Sequence, residues 1–118
     1  MDKLIAVLFL SRDLAHREHL KTTSYAQHMA LGSFYDEIID LADSLAEMYQ
    51  GRHGIISDIP LLDDEPKDTP ADTLADHLQM VEDMRYEAVD KKDTAIQNQI
   101  DTVVGLYLST LYKLRNLK

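Results

Sequence analysis

Cysteine is missing from all 118 residues. That removes disulfides, thiolate metal sites and cysteine nucleophiles together, and it fits a reducing compartment. Glycine and proline are scarce, four and three, and five of these seven fall between Gly51 and Pro70. The rest of the chain is left free for long, unbroken helices. There is no glycine-rich phosphate loop and no nucleophile elbow. Basic charge is thin: twelve Lys and Arg stand against twenty-one Asp and Glu, a formal charge of −9. From Asp36 to Asp83 there are fourteen acidic residues against only Arg52 and Lys67. Such a body repels phosphate backbones, so no direct nucleic-acid binding is expected. The longest apolar run, Leu4 to Leu10, is seven residues, short of both a membrane span and a signal-peptide core. The expectation is a soluble, cytoplasmic protein with no membrane association.

What is present is helical periodicity. A first helix is expected over about 3–21, with Asp2 placed to cap it and apolar residues around most of its circumference. A second, about 24–50, opens on the capping box Ser24 and Gln27 and is stopped by Gly51 and Gly54. Its Leu31, Phe34, Ile38, Leu41, Leu45 and Met48 follow three-four spacing and form one seam. A third, about 70–90, has Thr69 as cap and Pro70 in its first turn, and presents Leu74, Leu78, Val81, Met84 and Ala88. The fourth, about 94–116, carries Ile96, Ile100, Val103, Tyr107, Leu111 and Leu114 on one stripe.

The connections define the architecture. Helices one and two join through a few residues near Thr22, and three and four through a similarly tight turn, so each pair is a hairpin. Between the hairpins lie residues 52–69, with Pro60, Pro66 and the acidic run Asp63-Asp64-Glu65. A helix of about 26 residues is roughly 39 Å long, and eighteen extended residues reach roughly 60 Å, so this crossover can run the length of the bundle. Neither hairpin can bury its apolar stripe alone. The chain is expected to be all-α, one ferritin-like four-helix bundle domain over residues 1–118, two helical hairpins joined by a long crossover.

Four residues in the first half form a set of metal-ligand types: His16, His28, Asp43 and Glu47, spaced His-x11-His-x14-Asp-x3-Glu. Two imidazoles and two carboxylates suit a ferrous or other borderline divalent ion, and the final pair shares one helix face. Helical projection turns Asp43 and Glu47 away from the seam of the second helix. Beside them runs a weaker stripe of Gly32, Tyr35, Ile39, Ala42 and Ala46, read as a contact for another subunit. The expected metal site therefore lies between chains.

The stretch from Leu14 to Gly51, with this quartet in register and Phe34 inside the second helix, resembles the ferroxidase region of the Dps branch of ferritin-like proteins. The resemblance implies His16 and His28 from one subunit, and Asp43 and Glu47 from its two-fold partner, as metal ligands and catalytic residues. It also implies ferrous iron oxidised with peroxide or oxygen and iron sequestered in a homo-oligomer, a dimer at minimum and a dodecamer in that family. Fe(II)/Fe(III) is the implied metal, with Mn or Zn open to the same ligands. The chain departs from the family in lacking tryptophan and in carrying Gly32 where an acid is common. The competing reading is a non-catalytic ferritin-like bundle, such as a virus or mobile element would carry, acting as an acidic protein-interaction module.

The remaining polar residues have plainer readings. His19 is expected to be a partly exposed helix-end residue, and His53 and His77 are expected to face solvent. The six tyrosines are expected mostly at the core edge, with hydroxyls reaching water.

Overall fold

A computed structural model describes residues 1–118. It contains four helices: α1 (Asp2–Lys21), α2 (Tyr25–His53), α3 (Pro70–Ala88) and α4 (Thr94–Asn116). Two starts use the expected caps, Ser24 and Thr69, and a third is capped by Asp93, a cap not expected from the sequence. The Ser24 hydroxyl accepts from Gln27 N–H, Thr69 from Asp72 N–H, and the Asp93 carboxylate from Ile96 N–H. α1 differs: Met1 is its cap residue with no side-chain bond, and Asp2 sits in the first turn, where a carboxylate favours the helix dipole. α2 also runs past Gly51, because that glycine adopts ordinary helical geometry, and stops at Gly54 with φ +89°. α3 ends two residues before the expected Asp90, at Ala88.

The helices form a square in which α1 touches α2 and α3, and α4 touches α2 and α3, while the diagonals do not meet. All four neighbouring pairs are antiparallel. Arg52 at the end of α2 pairs with Asp93 at the start of α4 at 2.7 Å, and Met1 to Leu4 border Met84, Glu87 and Ala88 at the end of α3. α3 therefore starts at the opposite end from where α2 finishes, and the crossover travels the length of the bundle. This is the ferritin-like arrangement expected from the loop lengths, in a body of 43 × 25 × 21 Å. No helix is long and apolar enough to cross a membrane.

The core draws on every helix: Leu4, Ile5, Val7 and Leu8 from α1, Leu31, Phe34, Ile38 and Leu45 from α2, Leu74 and Val81 from α3, and Ile96, Ile100, Val103 and Tyr107 from α4. Five consecutive α1 residues, Leu4 to Leu8, are buried. An ordinary bundle helix exposes one side, but here Ile59 and Leu62 of the crossover pack on the core and border Ala6 and Leu10, covering part of it, while Phe9 stays exposed. The crossover thus explains the apolar circumference of α1.

Candidate functional site

The first hairpin gathers His16, His19, His28 and Tyr35 at its closed end. His19 Nδ1 lies 2.7 Å from the carbonyl of His28, and His28 Nδ1 lies 2.8 Å from the carbonyl of His19. A carbonyl only accepts, so both Nδ1 atoms carry protons and donate. The His19 carbonyl is in the last turn of α1, where helical donors run out, so His28 caps that helix from its neighbour. The two rings stack with centroids 3.7 Å apart, His16 stacks on Tyr35 at 4.1 Å, and Tyr35 meets the edge of His19 at 5.2 Å. Gly32 makes room for this: a Cβ there would stand 3.1 Å from His19 Cε1. A glycine at position 32 therefore has a steric reason within this chain. His19, expected to be a loose helix-end residue, is half-buried and held on three sides.

The stripe expected to meet another subunit is already occupied. Gly32 lies under His19, Tyr35 under His16, Ala42 is 1% exposed, and Ala46 packs against the core. A helix at the corner of a square has two neighbours about a right angle apart, so α2 needs two apolar stripes. One faces α4 and the other faces α1.

Asp43 and Glu47 are exposed on the remaining face. They lie fifteen and nineteen residues beyond His28, about 22 and 28 Å along the helix. Within one chain the quartet is not brought together, and no three His, Asp or Glu side chains converge to hold a metal ion. The donors do not fit an iron site inside the bundle.

Two polar clusters escaped the sequence reading. Ser11 Oγ is 2.7 Å from His77 Nδ1 and 2.5 Å from the Tyr107 hydroxyl, and all three residues are at most 1% exposed. The bonds close if Tyr107 donates to Ser11 and Ser11 donates to His77, which leaves the imidazole proton on Nε2. His77 is therefore a core residue and not a solvent-facing one. Its pKa is lowered, chiefly by desolvation, against opposing pulls from Asp76 and Asp64, with Lys67 adding slightly to the lowering. Burial likewise pushes the Tyr107 hydroxyl well above its usual range, partly offset by the Ser11 bond, so this hydroxyl does not reach water. A signal was available: position 77 lies three residues after Leu74 and four before Val81, on the core stripe of α3.

The second cluster ties α3 to α4. The Arg85 guanidinium donates to Gln97 Oε1 at 2.9 Å, to the Gln97 carbonyl at 3.0 Å and to Asp101 at 2.7 Å. The Gln97 amide returns bonds to the carbonyls of Arg85 and Val89, both 3.2 Å, at the end of α3. A buried arginine is thereby satisfied and the second hairpin is fixed.

The solvent face of α2 holds what is left. Asp36, Glu37, Asp40, Asp43 and Glu47 are all exposed, none forms an ion pair within the chain, and no Lys or Arg occurs between Tyr25 and Gln50. Between this ridge and α4 runs an open groove of about 460 Å³ lined by Glu37, Asp40, Leu41, Thr102, Gly105, Leu106 and Ser109. Ser11, His77, Tyr107, Arg85 and Gln97 inside the bundle are bonded to one another, whereas the charges of α2 are offered outward.

The fold and its polar inventory define an all-α, ferritin-like four-helix bundle. A family model matches residues 19–114, and the chain belongs to that family, a family of unknown function (DUF5856). No curated protein and no solved structure matches.

Proposed function

We propose that the protein is a helical docking module that offers the carboxylates of α2 to a basic surface on a protein partner. The observation that carries this is the unpaired acidic ridge from Asp36 to Glu47, on a helix whose one Arg, Arg52, is paired with Asp93. Five like charges on adjacent turns repel one another by a few tenths of a kcal/mol per close pair. A cationic partner relieves that repulsion and is steered toward it. The test uses a fluorescent oligolysine peptide. Neutralising Asp36, Asp40, Asp43 and Glu47 to Asn or Gln should weaken capture tenfold or more, and neutralising Asp63, Asp64 and Glu65 of the crossover should weaken it far less. Equal losses would mean that bulk charge alone attracts the peptide, and the docking reading fails.

A second reading keeps the Dps-like ferroxidase, with iron held between two chains by His16 and His28 of one and Asp43 and Glu47 of the other. Two observations favour it: His28 donates its Nδ1 proton to a carbonyl, as ligating histidines do, and the two carboxylates are unused within the chain. Anaerobic ferrous titration followed by oxidant tests it. Iron oxidation at the buffer rate, unchanged in a Asp43→Ala, Glu47→Ala variant, would remove this reading.

A further inference from the structure

The crossover is the least anchored part of the chain. Ile56 N–H donates to Gln50 Oε1 at one end, and Lys67 N–H donates to Thr73 Oγ1 at the other. Between them, residues 57–66 form no hydrogen bond and no ion pair. They are held by Ile59 and Leu62, which pack on the core beside Ala6 and Leu10 of α1, while Leu61 is fully exposed. A segment with few buried contacts and no backbone bonds opens at the lowest cost in free energy.

This strap passes beside His77. Thr73, which receives the Lys67 bond, lies one turn before His77 on the same side of α3. Leu10, bordered by Leu62, precedes Ser11, the hydrogen-bond partner of His77. From α1 and α4 the imidazole meets the hydroxyl pair Ser11 and Tyr107, and α2 does not touch α3. The charges that act on it are Asp76 on its own helix and Asp64 and Lys67 on the crossover. The two carboxylates attract an imidazolium and Lys67 opposes them; both crossover residues are exposed.

The buried hydrogen bonds have a direction, and a second proton on His77 reverses it. With the ring neutral, Tyr107 donates to Ser11 and Ser11 donates to Nδ1. Once Nδ1 is protonated it donates to Ser11 instead. The hydroxyl proton of Ser11 or of Tyr107 is then left without an acceptor, and both residues are 0% exposed. Water would satisfy that hydroxyl and the new cation together. The strap is the cover that yields most readily, because the four helices hold one another.

We infer that the crossover is an acid-operated strap: protonated His77 leaves Ser11, turns outward toward Asp64 and Asp76, and displaces Leu62 and with it Ile59, baring α1 at Ala6 and Leu10. The sign follows from burial. The closed state favours the neutral ring, so the strap is shut above the ordinary imidazole range and is released as pH falls below it.

An NMR titration from about pH 7.5 to about 4.5 tests this, reading the His77 ring with the methyls of Ile59 and Leu62 and of the core residues Ile38 and Ile100. Ile59 and Leu62 should move with the His77 midpoint while Ile38 and Ile100 hold. In His77→Gln, whose amide oxygen can accept from Ser11, the strap methyls should stay in place over the same range, which separates the effect from carboxylate titration. Leu62→Ala loosens the strap from a different segment, so the His77 midpoint should rise by about half a pH unit, roughly a threefold gain in the open population. A ring that stays neutral throughout, or strap methyls that ignore its titration or move equally in His77→Gln, overturns the inference. So does loss of the core signals in the same step, or a midpoint indifferent to Leu62→Ala.

Discussion

Two alanine substitutions, at Gly32 and Gly105, should move stability in opposite directions although both replace glycine inside a helix. On propensity alone each gains roughly 0.5–1 kcal/mol, because alanine restricts the unfolded chain and favours the helix. At Gly105 nothing lies within 4 Å of the new Cβ, so the full gain should appear. At Gly32 the Cβ would stand 3.1 and 3.2 Å from the His19 ring. The ring cannot yield cheaply, because it stacks on His28 at 3.7 Å and donates to the His28 carbonyl at 2.7 Å. Overpacking of this kind costs about 1–3 kcal/mol, and loosening the hydrogen bond adds about 1. The net effect at Gly32 should be a loss of about 1 kcal/mol or more, leaving the two variants roughly 2 kcal/mol apart. Urea denaturation measures the difference. If Gly32→Ala stabilises as much as Gly105→Ala, the histidine packing described here is wrong.

The Ser11 cluster gives an ordering: Ser11→Ala should cost about 2–4 kcal/mol because it strands both His77 and Tyr107, whereas Tyr107→Phe should cost about 1, since Ser11 still donates to His77. His77 gives a pH dependence. Its folded pKa is lowered from 6.5, so its neutral form costs nothing at higher pH; as pH falls below 6.5 the unfolded chain takes the proton first and stability declines until the folded pKa is reached. Urea midpoints at pH 7.5 and 5.5 should therefore differ more in the native chain than in His77→Gln, with the carboxylates common to both; equal shifts would refute the assignment. Between α3 and α4, a double-mutant cycle of Arg85→Met and Gln97→Leu should show a coupling of about 1.5–3 kcal/mol, because either change alone leaves buried polar groups without partners.

The bundle was legible because its signals are local. Three-four spacing placed the core stripes, Ser24 and Thr69 fixed two helix starts, and eighteen residues between the hairpins forced a crossover. The outer face of α2 was harder to read. A one-dimensional projection shows a strong seam and a weak stripe, but it does not show that a corner helix packs on two neighbours, so the stripe from Gly32 to Ala46 looked free. His77 was misread for a related reason: its type argues for solvent, while its position between Leu74 and Val81 argues for the core. Position wins once Ser11 supplies a partner, and Ser11 is sixty-six residues away in sequence.

The spacing of the histidines has a structural origin that needs no metal. Positions 19 and 28 lie four and five residues from the middle of the Thr22 to Ser24 connection, so an antiparallel hairpin with that loop brings them level. Each then donates to the other's carbonyl, and His28 supplies the donor that the last turn of α1 lacks. His16, one turn earlier, falls opposite Tyr35 and stacks on it. The clasp at the hairpin end thus fixes the step of nine from His19 to His28, while His16 is placed by Tyr35. It follows that His28→Ala should cost about 1–2 kcal/mol with no metal present, since a carbonyl loses its cap and a stacked pair is broken. His16→Ala should cost less, because that ring has a stacking contact and no hydrogen bond. Thermal melts in chelator measure both losses. Melts with added Fe(II), Mn(II) or Zn(II) provide the opposing result: a metal-dependent rise in Tm that disappears in Asp43→Ala would show that these histidines serve carboxylates of a second chain, and the clasp would not be their whole role.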